Sequence, residues 1–162
     1  MGLLLLVPAL AARALIPSNP DPQEAAKQAL EEKEIETAHV NQHVALLADA
    51  ILATEGRCGH GGSGERGCFQ YLPSTWRAYS IEVTGEVLPL TVENERMVTE
   101  GMIRSWKADG MTDRGVFLTW NQGSATGWGG GTDCYSGINK YGVPYDSCDY
   151  AARGLKYVAE NS

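Results

Sequence analysis

Positive charge is scarce in this sequence, which has 13 Lys and Arg residues against 20 Asp and Glu residues and a formal net charge of −7. The basic residues are scattered and form no cluster. Nucleic acids and anionic lipid surfaces are polyanions that select clustered Lys and Arg side chains. The composition therefore argues against a nucleic-acid partner and against binding to an anionic lipid surface, and it decides little about uncharged partners.

The sequence also has no apolar run long enough for a predicted membrane span. The N-terminal run covers about ten residues, 3–12, whereas a spanning helix needs about 20. Ala12-Arg13-Ala14 follows with the small-x-small form of a signal-peptidase site, so we predict a signal-peptide-like leader at 1–14 and export to the periplasm, cell wall or extracellular space. Only the terminal amine supplies positive charge ahead of the run. The alternatives are an apolar tail packed on the domain, or a start further upstream that lengthens the run towards a membrane anchor.

Cysteine is present in an even number, which in an exported chain indicates disulfides. The four residues allow three pairings. We predict Cys58–Cys68 and Cys134–Cys148, because each pair brackets a glycine-rich or turn-rich segment that lacks core-forming residues and gains most from a cross-link. A zinc site that uses His60 is the alternative, but the cysteine spacings match no common zinc template.

Glycine and proline are absent from residues 23–54, and this predicts one long helix or two abutting helices. The part up to about residue 37 is mostly charged. We assign 15–22, which is rich in proline, to a linker and 23–42 to an N-terminal helical extension. The apolar residues at helical spacing in the second half are Val40, Val44, Leu47, Ile51 and Leu52. They predict one wide face for burial, and Glu55 lies where this helix is expected to end.

Glycine is abundant instead at 56–67, where six glycines exclude regular helix and predict a loop. A short helix is predicted to begin at Pro73, since proline is tolerated in a first turn. The rest of the chain is predicted to begin with an irregular stretch at 81–90, followed by helices at 91–109 and 112–120. A second glycine-rich loop is predicted at 127–131 and a terminal helix at 150–158. The predicted fold class is mainly α with one core, to which Trp76 and Trp106 are assigned.

Three motifs follow one another along the chain. Glu55 ends a helix before the glycine-rich loop, residues 67–76 read Gly-Cys-Phe-Gln-Tyr-Leu-Pro-Ser-Thr-Trp, and residues 120–123 read Trp-Asn-Gln-Gly. This order resembles the lysozyme-like domain of lytic transglycosylases, which is related to goose-type lysozymes. That family has Glu-Ser, then Gly-Leu-Met-Gln with Met-Pro-x-Thr, then Ala-Tyr-Asn-x-Gly, and a tyrosine in the last helix, which Tyr157 matches. The resemblance covers about residues 43–158 and implies a lysozyme-like helical domain with glycine-rich loops at 43–162.

The chain departs from the family's pattern at three places. Gly56 replaces the serine after the glutamate, Cys68 and Phe69 replace Leu-Met, and Thr119 and Trp120 replace Ala-Tyr. The glutamine, proline, threonine, asparagine and both glycines of the motifs are retained.

The resemblance implies cleavage of the β-1,4 bond between MurNAc and GlcNAc in peptidoglycan, with Glu55 as the single acid/base residue. The muramic acid 6-hydroxyl then attacks in place of water and leaves a 1,6-anhydro end. The candidate substrate-binding residues are Phe69, Gln70, Trp120, Asn121 and Tyr157. Trp128 is a further candidate for contact with glycan. A monomer is expected, with no metal or organic cofactor, and the resemblance leaves open whether it serves wall remodelling, a secretion or conjugation apparatus, or a phage.

Each of these assignments has a structural alternative. Glu55 is a solvated residue at a helix end, or it is the acid, whose pKa must be raised by a partly apolar site. In the structural alternatives, Gln70 serves only to satisfy loop carbonyls and Asn121 serves only as a helix cap before Gly123. Phe69 and Trp120 are then core residues.

Ordinary glycosidases pair the acid with a second carboxylate. In this sequence the candidates are Glu65, Asp109, Asp113 and Asp133, and none of them lies in a motif. The rival functions are a hydrolytic muramidase that uses the same acid, a catalytically silent glycan-binding or assembly module, and a small structural protein held by disulfides.

Overall fold

A computed structural model describes residues 21–123 and 133–162 of the chain. The predicted leader, most of the linker, the loop at 127–131 and Trp128 lie outside these residues. The described part is mainly α, as predicted. Its helices are α1 (Pro22–Glu55), α2 (Pro73–Thr84), α3 (Val92–Ala108), α4 (Asp113–Gln122) and α5 (Ser147–Asn161). Its strands are β1 (Gly59–His60), β2 (Arg66–Gly67), β3 (Ser136–Ile138) and β4 (Pro144–Asp146), and they form two antiparallel pairs, β1–β2 and β3–β4.

Helix α1 is one long helix with two different parts. The division between the chain's two structural units falls inside it, between Thr37 and Ala38. In the first unit, the described helical residues are almost all exposed. Burial begins at Val44 and continues on one face to Ile51. The helix ends at Glu55 because Gly56 takes a left-handed conformation (φ 74°) and its N–H turns back to the carbonyl of Leu52.

The core of the second unit, Ala38–Ser162, is a single cluster to which α1, α2, α3, α4 and α5 all contribute. Trp76 and Trp106 belong to it, as predicted. Helix α5 approaches α4 closely at Gly154, where an added Cβ would lie 2.6 Å from the ring of Phe117. Packing at this glycine fixes α5, and with it the side chains that α5 presents towards the end of α1.

Helix boundaries follow the capping residues. Thr91, Thr112 and Asp146 accept hydrogen bonds from backbone N–H groups in the first turns of α3, α4 and α5. Helix α5 therefore begins at Ser147, three residues before the predicted start. The prediction of an irregular stretch at 81–90 was wrong for residues 81–84, which belong to α2. This helix continues to Thr84 and is capped by Gly85 (φ 85°).

The two disulfides join Cys58 to Cys68 and Cys134 to Cys148, which is the predicted pairing. All four cysteines are thereby used, so the alternative of a zinc site is wrong. The first disulfide closes the loop that carries β1 and β2, and the second closes the β3–β4 hairpin. Two disulfides are compatible with an exported protein. Within the described residues, no helix is long and apolar enough to cross a membrane.

Candidate active site

One cavity of about 560 Å³ brings together the motifs that lie far apart in the sequence. Its walls come from the end of α1, the glycine-rich loop at 56–67, the start of α2, the end of α4 and the β3–β4 hairpin. Of the predicted site residues, Glu55, Gln70, Trp120 and Asn121 line it. Phe69 and Tyr157 do not.

Glu55 is half-buried at the end of α1. The hydroxyl of Tyr150, on α5, donates a hydrogen bond of 2.7 Å to Glu55 Oε1. Burial raises the pKa of Glu55 above its ordinary value, and hydrogen bonds from Tyr150 and the Trp120 indole only partly oppose this. The charge of Glu65 raises this pKa further. A carboxyl group in this environment retains its proton to higher pH than a solvated one, which is what a proton donor requires.

The tyrosine of the last helix that contacts Glu55 is Tyr150, whereas Tyr157, the predicted substrate-binding residue, does not line the cavity. Both residues lie on the same side of α5, since seven residues are nearly two full turns, but Tyr157 lies about 10 Å further along the axis. Tyr157 is partly buried against the core. Tyr150 is 4% exposed, and its pKa is raised well above the ordinary value by burial and by the adjacent Glu55 charge.

Phe69 does not line the cavity either, because its side chain is fully buried in the core, which is the structural alternative given for it. The turn that follows β2 directs it inward, where its ring lies edge-on to Trp120 with the centroids 6.4 Å apart. Phe69 thus supports Trp120 from behind, while Trp120 itself lines the cavity.

Gln70 lies in the cavity wall and also satisfies loop carbonyls, which is the structural alternative given for it. It lines the cavity, and its Nε2 donates to the carbonyl oxygen of Gly67 at 2.6 Å and, over longer distances, to those of Gly59 (3.3 Å) and Arg57 (3.4 Å). Its own backbone has a positive φ of 54°, which is uncommon for a residue other than glycine. The amide group therefore holds the glycine-rich loop in the shape that forms this wall.

Asn121 lines the cavity and carries an unpaired hydrogen-bond acceptor. Its Oδ1 is buried and has no hydrogen-bond partner among the described residues. Helix α4 is capped by Gly123, so Asn121 is not needed as a C-cap. Since buried polar atoms are nearly always paired, this oxygen is suited to accept a hydrogen bond from a ligand.

Among the four candidate second carboxylates, Glu65 is the one that lines the cavity. Its Oε2 accepts the backbone N–H of Ser63 at 2.8 Å, which fixes its orientation. Asp113 is instead engaged by His43 and Lys107 on another part of the surface, and Asp109 ends α3.

Two contributors to the site were missed from the sequence. Glu95 on α3 is 1% exposed, and its carboxylate accepts the backbone N–H groups of Cys68 and Phe69, each at 3.1 Å. A signal was present, because Glu95 falls on the same helical face as Val98 and Met102, where a carboxylate needs internal partners. The β3–β4 hairpin also forms a wall, with Tyr135, Ile138 and neighbouring residues.

No protein-family model, curated protein or solved structure matches this chain. Within residues 21–123 and 133–162, no group of three or more His, Cys, Asp or Glu side chains is placed to hold a metal ion.

Proposed function

We propose that this protein is an exported lytic transglycosylase with a lysozyme-like domain, which cleaves the MurNAc-GlcNAc β-1,4 bond of peptidoglycan. The observation that carries the proposal is Glu55, a half-buried carboxyl group with a raised pKa that faces a cavity lined by the motifs resembling that family. The cavity offers both apolar and hydrogen-bonding groups, as sugar rings with acetamido and hydroxyl substituents require.

In the proposed reaction Glu55 acts first as an acid. It donates its proton to the glycosidic oxygen, the bond from that oxygen to the anomeric carbon breaks, and the leaving strand departs as an alcohol. The neighbouring acetamido group of the substrate stabilises the positive charge at the anomeric carbon. Ionised Glu55 then takes the proton of the 6-hydroxyl as its oxygen attacks that carbon, which gives the 1,6-anhydro end and restores the acid.

The surrounding residues have separate tasks in this proposal. Tyr150 and Trp120 hold the Glu55 carboxyl and stabilise its ionised form between the two steps. Asn121 Oδ1 accepts a hydrogen bond from the substrate. Gln70 keeps the loop in place, since its amide N–H groups are already engaged by loop carbonyls.

A hydrolytic muramidase is the second candidate, and Glu65 is the observation that favours it. Glu65 lines the same cavity and is close enough to Glu55 to influence its pKa. Two carboxyl groups can divide the work of a glycosidase, one as the acid and the other as the base that activates water.

The test is digestion of purified peptidoglycan by the wild type, Glu55→Gln and Glu65→Gln, followed by mass spectrometry of the released muropeptides. A transglycosylase releases anhydro products, Glu55→Gln lowers the rate by about 10²–10⁴-fold, and Glu65→Gln leaves the product mass unchanged. Products heavier by one water that disappear in Glu65→Gln would support the muramidase instead.

Glu82→Gln is the matched control, because Glu82 is exposed on α2 and does not line the cavity. Its products and rate are expected to equal those of the wild type. Release of no product by the wild type, with folding verified, would reject both enzymatic proposals.

A further inference from the structure

Arg153, on α5, reaches the last turn of α1. Its Nη1 donates a hydrogen bond of 3.1 Å to the backbone carbonyl oxygen of Thr54, and this carbonyl belongs to the peptide group that joins Thr54 to Glu55. Carbonyl groups in the last turn of a helix lack partners within the helix, and a positive charge is favourable there. The last turn of α1 contains no basic residue of its own, so Arg153 supplies this charge from α5.

The same guanidinium group also contacts the ring of Tyr150. Its carbon atom lies over that ring, 5.7 Å from the ring centroid, which is within the range of a cation–π contact. Its Nε donates to Asp149 Oδ2 at 2.9 Å, which anchors the side chain on its own helix. A planar guanidinium group, with donors that point in fixed directions and a face that stacks on aromatic rings, can make all of these contacts together.

These contacts lie on both sides of the hydrogen bond between Tyr150 and Glu55. A tyrosine carries its hydroxyl on a rigid ring, so a group that holds the ring also sets the position of the hydroxyl. Arg153 holds that ring on one side of the bond and the backbone next to Glu55 on the other. Arg153 and Tyr150 do not line the cavity, so any effect of Arg153 on the reaction reaches it through Glu55.

The charge of Arg153 acts on Glu55 in the same direction as the hydrogen bond of Tyr150. Burial raises the pKa of Glu55, and the charge of Glu65 raises it further. The charge of Arg153 lowers this pKa, as do the hydrogen bonds from Tyr150 and Trp120. Loss of Arg153 therefore favours protonated Glu55 twice, because a positive charge is removed and the hydrogen bond of Tyr150 is loosened.

We propose that Arg153 is a positioning residue for the acid: by binding the Thr54 carbonyl oxygen and the Tyr150 ring together, it holds the Tyr150 hydroxyl on Glu55. This inference rests on the proposed function, since it names a residue that prepares the same carboxyl group for its two proton transfers. The alternative is that Arg153 serves only as half of an exposed ion pair with Asp149, and such pairs contribute little.

The test is a kinetic double-mutant cycle on soluble glycan strands with the wild type, Arg153→Ala, Tyr150→Phe and the double variant. We expect Arg153→Ala to lower kcat several-fold with KM nearly unchanged. The limb of the pH–rate profile on which activity falls as Glu55 ionises should move to higher pH. In the Tyr150→Phe background the same replacement should lower kcat little further, because the hydroxyl that Arg153 positions is already absent.

Equal losses of kcat in the two backgrounds would show that Arg153 and Tyr150 act independently. That result would overturn the inference and leave the proposed function standing. Absence of cleavage by the folded wild type overturns both.

Two further variants separate positioning from charge and from helix stability. Arg153→Lys keeps the charge without the planar group, so its kcat should stay below that of the wild type, and full activity would overturn the positioning role. Lys156→Ala is the matched control, because it breaks the exposed pair Lys156–Glu160, which is also formed by residues four apart on α5. Its rate and pH profile should equal those of the wild type, and a loss equal to that of Arg153→Ala would assign the effect to the helix alone.

Discussion

At the scale of single residues, Tyr150 is a side chain that adjusts the pKa of the proposed acid, Glu55. Its hydroxyl stabilises ionised Glu55, so its removal in Tyr150→Phe should raise the pKa of Glu55 further. The limb of the pH–rate profile on which activity falls as Glu55 ionises should then move to higher pH. The maximal rate should fall about tenfold or more, because a hydrogen bond to a charged group contributes roughly 1.5–3 kcal/mol. The measurement is kcat/KM against pH on soluble glycan strands.

Tyr157→Phe is the matched control for that experiment. Tyr157 is a tyrosine of the same helix, two turns further on, and it does not line the cavity. Its profile should coincide with that of the wild type. Equal shifts in both variants, or a shift of Tyr150→Phe to lower pH, would contradict the assignment of Tyr150 as the partner of the acid.

At the scale of elements, the turn between β2 and α2 is held by α3 through a buried carboxylate. Gly67 has a left-handed conformation (φ 82°), and a side chain there would collide with the Glu95 carboxylate that binds the N–H groups of Cys68 and Phe69. Gly67→Ala should therefore lower the free energy of unfolding by more than the roughly 1–2 kcal/mol that a left-handed Ala costs, with a total of about 3 kcal/mol. Urea unfolding measures it.

A comparison with Gly110 separates the cost of the left-handed conformation from the cost of the collision with Glu95. Gly110 has a nearly identical φ of 84°, but nothing lies within 4 Å of an added Cβ. Gly110→Ala should show the conformational cost alone. If Gly67→Ala and Gly110→Ala were destabilised equally, the contact with Glu95 would have no energetic role, and the turn would be fixed by its disulfide and by Gln70.

The helices could be predicted from the sequence because their periodicity and caps are local signals. Absence of glycine and proline predicted α1, and Pro73 marked the start of α2. The short strands could not be predicted, since two or three residues cannot show a period of two. Each strand pair lies in or next to a segment that a disulfide closes, and the disulfide joins residues distant in sequence.

The motifs predicted residues that share one cavity, but contacts that depend on the fold alone could not be predicted. Glu55, Gln70 and Asn121 were named from their positions in motifs that resemble those of a family, and all three line the cavity. The contact between Tyr150 and Glu55 could not be predicted, because Tyr150 and Tyr157 lie on one side of α5 and the offset between α5 and α1 depends on packing at Gly154. Tertiary contacts of this kind leave no mark at neighbouring sequence positions.

At the scale of the whole molecule, two carboxyl groups make stability depend on pH in opposite senses. Burial alone would raise the pKa of Asp113, but hydrogen bonds from Lys107 and His43 lower it below the ordinary value. Its contribution to stability is present above the pKa of the unfolded chain and is lost as the pH falls through the lower pKa of the folded state. Asp113→Asn should therefore be less stable than the wild type at neutral pH, and the difference should shrink in strong acid.

Glu55 has the opposite effect on the pH dependence of stability, because its pKa in the folded protein lies above the ordinary value of 4.5. Its protonated form suits the folded state, so this contribution is complete below the unfolded pKa and is lost as the pH rises through the folded one. Glu55→Gln should then be more stable than the wild type at neutral pH, with an advantage that disappears in acid, while Glu82→Gln shows no such dependence. Urea unfolding at a series of pH values measures this. A folded Glu55→Gln that is inactive and more stable at neutral pH is the combination expected of a catalytic acid, since a residue kept for structure would lose stability when replaced.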